Sequence, residues 1–225
     1  MIGCNMQRFF DIFFSGFALI ILSPLLVPIA IILKFSGEGE MFFTQQRVGL
    51  NGKMFDLLKF ATMLKDSPHI GTGTVTVKND PRILPIGRFL RKSKINELPQ
   101  LLNIFFGDMS VVGPRPQTLR CFEAFTADVQ RQIVKVRPGL SGIGSIIFRD
   151  EESLLHGANN SVIFYDTVIA PYKGEVEKWY IDNKSLTNYF LIIFVTAWVV
   201  LFPGSRIIWR VFPSLPPPPK ELAGI

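Results

Sequence analysis

From Ile12 to Leu33 the chain carries no charged residue, and the run is bracketed by Arg8 and Asp11 on one side and Lys34 on the other. About 22 residues at about 1.5 Å each reach about 33 Å, the hydrocarbon thickness of a bilayer, provided the helix is straight. Ser23-Pro24 argues against straightness, because a proline inside a helix removes a hydrogen bond and crowds the preceding turn, and Pro28 repeats the disturbance one turn later. Bent there, the helix has two arms of about 16 to 18 Å, so the segment can enter one leaflet and return to the same face. The Ser23 hydroxyl is placed to bond a carbonyl that the proline frees. A kinked spanning helix is the rival reading. A secretory signal peptide is disfavoured because no small-x-small cleavage pattern follows the run, and a buried core helix is disfavoured by length.

The run accounts for part of an uneven composition: 48% apolar residues, mean hydropathy +0.31 and a net charge of +6. Such a chain is too apolar for disorder and unusually apolar for an ordinary soluble domain. Two distant cysteines, Cys4 and Cys121, make neither a disulfide framework nor a zinc site, and two histidines, His69 and His156, make a His-based triad improbable. The acidic residues concentrate between Phe35 and Lys184, where short strand-like runs alternate with turns and helical patterns. A second uncharged stretch, Ser185 to Ser205, has an apolar core of about 14 residues, short for spanning and suited to the membrane interface. Trp198, Trp209, Arg206 and Arg210 fit a headgroup belt there. The expected organisation is a re-entrant membrane helix (1–35), a soluble body (36–184), an interfacial apolar helix region (185–212) and an extended, weakly ordered Pro-rich tail (213–225). The fold class is α/β, mostly α, with a small β-hairpin.

Within the body, Phe42 to Gly49 and Met54 to Phe60 read as two strands joined at Asn51-Gly52. Arg47 and Lys59 project from that hairpin, where a solvated strand face is the usual fate of a charge. Gly71 to Thr74 lacks the lysine and helix start of a phosphate loop and reads as a flexible connection. Arg88, Arg91, Lys92 and Lys94 form a basic cluster ahead of a helix that Asn96 caps, with Glu97 at its positive end, Pro99 in its first turn, and Leu98, Leu101, Leu102 and Phe105 as its apolar stripe before Gly107 ends it. Taken alone, Asn96-Glu97 reads as a plain helix start; the functional reading is that it aims N–H groups and a carboxylate into a basic pocket, an arrangement that holds phosphate and Mg²⁺ together. Arg115, between Pro114 and Pro116, sits on a stiffened backbone suited to presenting a guanidinium fork to phosphate oxygens. Pro138 and Gly139 suit the centre of a type II turn beside Arg137. Each cation has a bland explanation alone; Lys59, Arg115, Arg137 and Arg149 together suit a pyrophosphate.

The order of these motifs carries a resemblance. Arg8 and Asp11, Ser23-Pro24, Gln45-x-Arg47-x-Gly49, Lys59-Phe60 with Met63, Arg91, Glu97 to Leu101, Gly107 to Ser110, Gly113 to Pro116, Arg137 to Gly139 and Arg149 follow one another as they do in one family. The chain resembles the bacterial sugar transferases, the monotopic polyprenyl-phosphate phosphoglycosyl transferases that begin exopolysaccharide and glycoconjugate assembly, over about residues 6 to 200. The resemblance implies a re-entrant helix broken at Ser23-Pro24 with both ends cytoplasmic, on the cytoplasmic face of the bacterial inner membrane. It also implies transfer of a sugar phosphate from a UDP-sugar to undecaprenyl phosphate, release of UMP, and a requirement for Mg²⁺. An aspartate attacks the β-phosphate, the neighbouring glutamate, here Glu97, helps hold the metal, and Lys59, Arg91, Arg115, Arg137 and Arg149 surround the phosphates.

Two departures matter. The family's Asp-Glu dyad stands here as Asn96-Glu97, and Ala61 replaces a residue that is more often Arg or Lys. Three accounts of Asn96 stay open: a change that blocks turnover, attack by Glu97 or a displaced carboxylate such as Asp108 or Asp150, or direct attack by the acceptor phosphate. A catalytically impaired, membrane-bound binder or scaffold of the same pathway is therefore the alternative function. A nucleic-acid binder is disfavoured by the two apolar segments and the absence of base-stacking motifs. The sequence names no particular UDP-sugar, although Ile146 to Glu177, poor in family motifs, is the expected seat of specificity. A homo-oligomer stays open.

Overall fold

The computed structural model describes residues 2–36, 38–67, 80–156 and 160–223. The Gly71 to Thr74 connection and His69 lie outside the described residues, as does the side chain of His156.

Helix α1 (Ile2–Lys34) runs unbroken through Pro24 and Pro28. Pro24 has no N–H for the Ile20 carbonyl, and the Ser23 hydroxyl donates to that oxygen instead, at 2.8 Å, as the sequence suggested. A single stripe meets the rest of the protein along the whole helix. Gln7, Asp11 and Ser15 are buried, Leu19, Leu22 and Leu26 pack inward, and Ile29 and Leu33 are buried at the far end. This spacing of three and four residues keeps one helical face inward from end to end. The opposite face exposes Phe9, Phe13, Phe17 and Ile20, the last at 74%. Helix α1 is long and apolar enough to cross a membrane.

Strands β1 (Phe42–Val48) and β2 (Met54–Phe60) form the expected antiparallel hairpin, with Val48 opposite Met54. Asn51 and Gly52 both adopt positive φ, as an Asn-Gly turn requires, but the loop is longer than the minimal two residues and is closed by Gly49 N–H to Lys53 O at 2.9 Å. Helix α2 (Pro85–Lys92) leads to a 3₁₀ turn (Ile95–Glu97), and helix α3 (Gln100–Phe106) begins only after Pro99. Asn96 is thus inside the turn and not a helix cap. Its cap role would need an N–H two or three residues along the helix, and the third position is Pro99, which has none. Gly107 ends α3 at φ +106°, as expected, while the buried stripe is Leu101, Asn103 and Ile104, and Phe105 faces outward.

Strand β3 (Ser110–Val112), helices α4 (Leu119–Glu123) and α5 (Ala127–Ile133) and strand β4 (Gly139–Ser141) follow, with β3 and β4 paired in parallel. Gly139 is therefore a strand residue and not the left-handed position of a type II turn. Glycine is needed there for another reason: a Cβ would lie 2.1 Å from the Gly113 nitrogen, so the two backbones meet where no side chain fits.

Helices α6 (Ile143–Ile147), α7 (Glu151–His156) and α8 (Ser161–Phe164), a π-helical turn (Tyr165–Ile169) and α9 (Ala170–Asp182) lead to α10 (Leu186–Leu201). Tyr189, Ile192, Val195 and Val199 bury one face of α10 in the main core, whereas Phe194, Val200 and Leu201 stay outside. After α11 (Ile207–Val211) the Pro-rich end contradicts the expectation of a weakly ordered tail. Phe212, Leu215 and Leu222 are buried in the main core, and the Tyr172 hydroxyl donates to Pro216 O at 2.8 Å. The prolines stop the segment from forming a helix or a sheet but leave its leucines free to dock.

Candidate active site

The hairpin, the turn before α3 and the loop after β3 converge on one pocket, lined by Arg47, Lys59, Glu97, Gln100 and Arg115 with the backbone of Gly139. Lys59 Nζ lies 3.6 Å from Glu97 Oε1. Burial lowers the Lys59 ammonium to about 8, with Arg47 and Arg115 adding to the effect and Glu97 opposing it. Burial alone would raise the Glu97 carboxyl, but Lys59, Arg115 and Lys94 more than offset it, so its pKa is lowered and the group is ionised at neutral pH. Arg47 is lowered to about 10 by burial and by Arg115. Its Nη1 donates to Pro116 O at 3.2 Å, its Nη2 to Gln45 Oε1 at 2.6 Å, and its Nε is buried without a partner among the described residues. Hairpin charges usually lie on a solvated face; the signal for Arg47 was its place within the Gln45-x-Arg47-x-Gly49 motif.

Asn96, on the same turn as Glu97, is buried, and its Oδ1 has no hydrogen-bond partner among the described residues. An unpartnered amide oxygen is costly to bury and suits a site that a ligand completes. Arg115 is exposed between buried Pro114 and Pro116, so the two prolines are anchored and the guanidinium stands clear. The remaining expected cations do not line this pocket. Arg91 Nη1 reaches Met63 Sδ at 3.6 Å, Arg137 Nε donates to Gly107 O at 2.7 Å, and Arg149 Nη1 donates to Val199 O on α10. Asp108 and Asp150 are exposed and lie outside the pocket lining, which leaves Glu97 as its carboxylate.

The pocket thus offers three cations and one ionised carboxylate, a set matched to a diphosphate, and Asn96 lies on the same turn as that carboxylate. It adjoins the body face that α1 covers: Leu57 and Leu140, in the pocket lining, belong to the cluster that packs on Leu19 and Leu22. The family model described as bacterial sugar transferase matches residues 3–203. The chain belongs to the bacterial sugar transferase family. It is 34% identical over 209 residues to the exopolysaccharide production protein ExoY of Rhizobium meliloti, covering 87% of this chain and 85% of that one. It is also 34% identical over 210 residues to the undecaprenyl-phosphate galactose phosphotransferase of Salmonella typhimurium, covering 87% of this chain and 40% of that one. The Escherichia coli UDP-glucose:undecaprenyl-phosphate glucose-1-phosphate transferase is 36% identical over 143 residues, covering 63% of this chain and 31% of that one. The chain therefore spans well under half of the two longer relatives and most of the shorter one.

Proposed function

We propose that this sugar transferase moves a sugar phosphate from a UDP-sugar to undecaprenyl phosphate at a membrane surface. The observation that carries the reading is the convergence of Arg47, Lys59 and Arg115 on Glu97, in a pocket beside a long apolar helix. In the overall reaction an oxygen of the acceptor phosphate bonds to the β-phosphorus. The bond from that phosphorus to the bridging oxygen breaks, and UMP leaves with that oxygen and its electron pair. The cations offset the charge that builds on the phosphoryl oxygens. Related proteins named for this activity favour turnover over a scaffold.

Two routes are compatible with the pocket. The acceptor attacks directly, or Glu97 attacks first and the acceptor then displaces it. Asn96 is a neutral amide and a poor nucleophile toward phosphorus. Among the described residues no group of three or more His, Cys, Asp or Glu gathers as a metal site. A divalent cation, which we take to be Mg²⁺, still fits: Glu97 and the unpartnered Asn96 Oδ1 are hard oxygen ligands, and such an ion commonly takes its other ligands from water and substrate phosphates. When bound it would neutralise diphosphate charge. Arg91, Arg137 and Arg149, held by the bonds above outside the pocket lining, belong in this reading to the phosphate-binding set only as the family resemblance implies.

The path of α1 follows from its contacts. Both the Gln7–Asp11 end and the Ile29–Leu33 end pack on the same body. This supports a monotopic arrangement on the cytoplasmic face of the inner membrane, with the Phe9, Phe13 and Phe17 face toward lipid. The deciding experiment incubates the purified chain with a panel of UDP-sugars, Mg²⁺ and undecaprenyl phosphate and measures UMP. One sugar that gives acceptor-dependent UMP establishes the reading; no UMP from any donor, with the fold intact, overturns it. UMP released before acceptor is added selects the covalent route.

A further inference from the structure

Pro114 and Pro116 have no N–H, so the Arg115 amide is the one main-chain donor between Gly113 and Gln117. Its acceptor is distant in sequence: Glu177 Oε1, on α9, at 3.0 Å. Glu177 is 1% exposed, and its other oxygen, Oε2, has no hydrogen-bond partner among the described residues. The nearby Lys173, one turn earlier on α9, is committed to Glu151 at 2.7 Å. Space for the carboxylate is made by a glycine, because a Cβ at Gly144 would lie 2.3 Å from Glu177 Oε1.

A buried carboxylate with one oxygen unpartnered is an expensive way to accept one backbone hydrogen bond. Burial raises this carboxyl to about 7, against the opposing pull of the Arg115 amide and of the Lys173 and Arg115 charges. Packing alone gives no reason for it, since an apolar side chain would fill the same space. The loop's carbonyls are held separately, and Pro116 O accepts from Arg47 Nη1 at 3.2 Å. Gly139 N–H donates to Pro114 O at 2.8 Å, and Gln117 Nε2 donates to Arg115 O at 3.1 Å. Of these contacts, that of the Arg115 N–H is the one made to a buried carboxylate, 62 residues away.

We propose that Glu177 is a positioning residue for phosphate recognition: its carboxylate, seated in the notch left by Gly144, fixes the Arg115 backbone so that the guanidinium faces the pocket. Glu177 itself does not line that pocket. The proposal rests on the diphosphate reading of the site and deepens it, by making α9 part of the binding apparatus.

UDP is the probe, and its affinity is measured by calorimetry for the full chain and three variants, with circular dichroism reporting the fold. Glu177→Gln keeps an acceptor oxygen for the Arg115 N–H and is expected to bind within about threefold of the unaltered chain. Glu177→Val removes the acceptor and is expected to weaken binding about tenfold or more. Gly144→Ala displaces the carboxylate without altering Glu177 and is expected to weaken binding similarly; it carries the test should Glu177→Val fail to fold. A folded Glu177→Val or Gly144→Ala that binds UDP like the unaltered chain overturns the positioning role alone, as does a Gln variant no better than the Val variant. An unaltered chain that binds no UDP overturns the reading of the pocket and this proposal with it.

Discussion

Lys59 on β2 and Glu97 on the turn before α3 face each other at 3.6 Å, a contact that joins the hairpin to the helix start in one charged pocket. Because burial lowers Lys59 to about 8, the folded protein loses this positive charge as pH rises through that value. Glu97, whose pKa is lowered, stays ionised there, and Arg47, at about 10, titrates later. UDP affinity should therefore fall between pH 7 and pH 9, by several-fold and up to about tenfold. Stability should move the other way. The unfolded lysine keeps its proton to about 10.4, so between about pH 8 and pH 10 the unfolded chain binds more protons and this group's contribution to stability rises with pH. UDP titrations at pH 7 and pH 9 check the first sign and denaturant unfolding at pH 8 and pH 10 the second, each repeated on Lys59→Met; a pH dependence unchanged in the Met variant would remove Lys59 as its source.

Asn96→Asp places an ionisable oxygen where an unpartnered amide oxygen now sits, in a turn that opens onto Lys59 and Arg115. If the neutral amide is what limits chemistry, UMP release should rise by about two orders of magnitude or more, the scale on which a reacting group moves a rate. The diagnostic readout is a burst of UMP, one per active site, before undecaprenyl phosphate is added. An active unaltered chain with no gain in the variant would show that Asn96 does not limit the rate and leave the reaction to Glu97 or to direct displacement.

Asp11 is a buried node between three elements. Its Oδ1 accepts from Ser110 Oγ at 2.9 Å, from the Val111 N–H at 2.9 Å and from the Tyr189 hydroxyl at 3.0 Å. It thereby fastens α1 to β3 and α10. Asp11→Ala strands three donors and should lower stability by about 2 to 4 kcal/mol in detergent or lipid. Thermal unfolding measures the loss, and a change under about 0.5 kcal/mol, typical of a surface site, would contradict the node.

How far these features were legible depended on whether local chemistry or distant packing decided them. Asn51-Gly52 announced the hairpin and Gly107 the end of α3, because each depends on its own φ. Asn96 does not cap, because Pro99 has no N–H and the Leu98 N–H bonds to Ile95 O instead, and only the first of these is readable from the sequence. Gly139 was misplaced in a turn because its requirement comes from Gly113, which only the folded chain brings near. The inward face of α1 was hidden by apolar residues on both sides. Only Gln7, Asp11 and Ser15, spaced by four, mark it in the sequence. Among the site residues, Lys59, Glu97 and Arg115 converge, whereas the use made of Arg137 and Arg149 depends on carbonyls of Gly107 and Val199 that no sequence pattern identifies.

Both ends of α1 pack on one body, so both should lie on one side of the membrane. Met6→Cys and Ser36→Cys, each in a background without Cys4 and Cys121, place a thiol near either end. Neither should react with an impermeant maleimide added to intact cells, and both should react in inverted membrane vesicles. Opposite labelling of the two positions would establish a spanning helix and remove the monotopic reading.

The C-terminal segment lies beyond the family match, which ends at residue 203, yet it closes the main core. Phe212 meets Trp179 edge-on at 5.6 Å, Leu215 and Leu222 are buried, and Pro216 O accepts from Tyr172 on α9. Ending the chain after Phe212 removes both leucines, each worth about 1.5 to 3 kcal/mol of burial, and strands the Tyr172 hydroxyl. The unfolding midpoint should drop by about 5 to 15 °C. A loosely held tail would leave it unchanged. Since Lys173 and Glu177 are carried by the same helix as Tyr172 and Trp179, the truncated chain should also bind UDP more weakly at temperatures well below its midpoint. Substituting Leu222 alone by Ala should reproduce part of the stability loss, about 2 kcal/mol or more, because it empties a site that is 1% exposed.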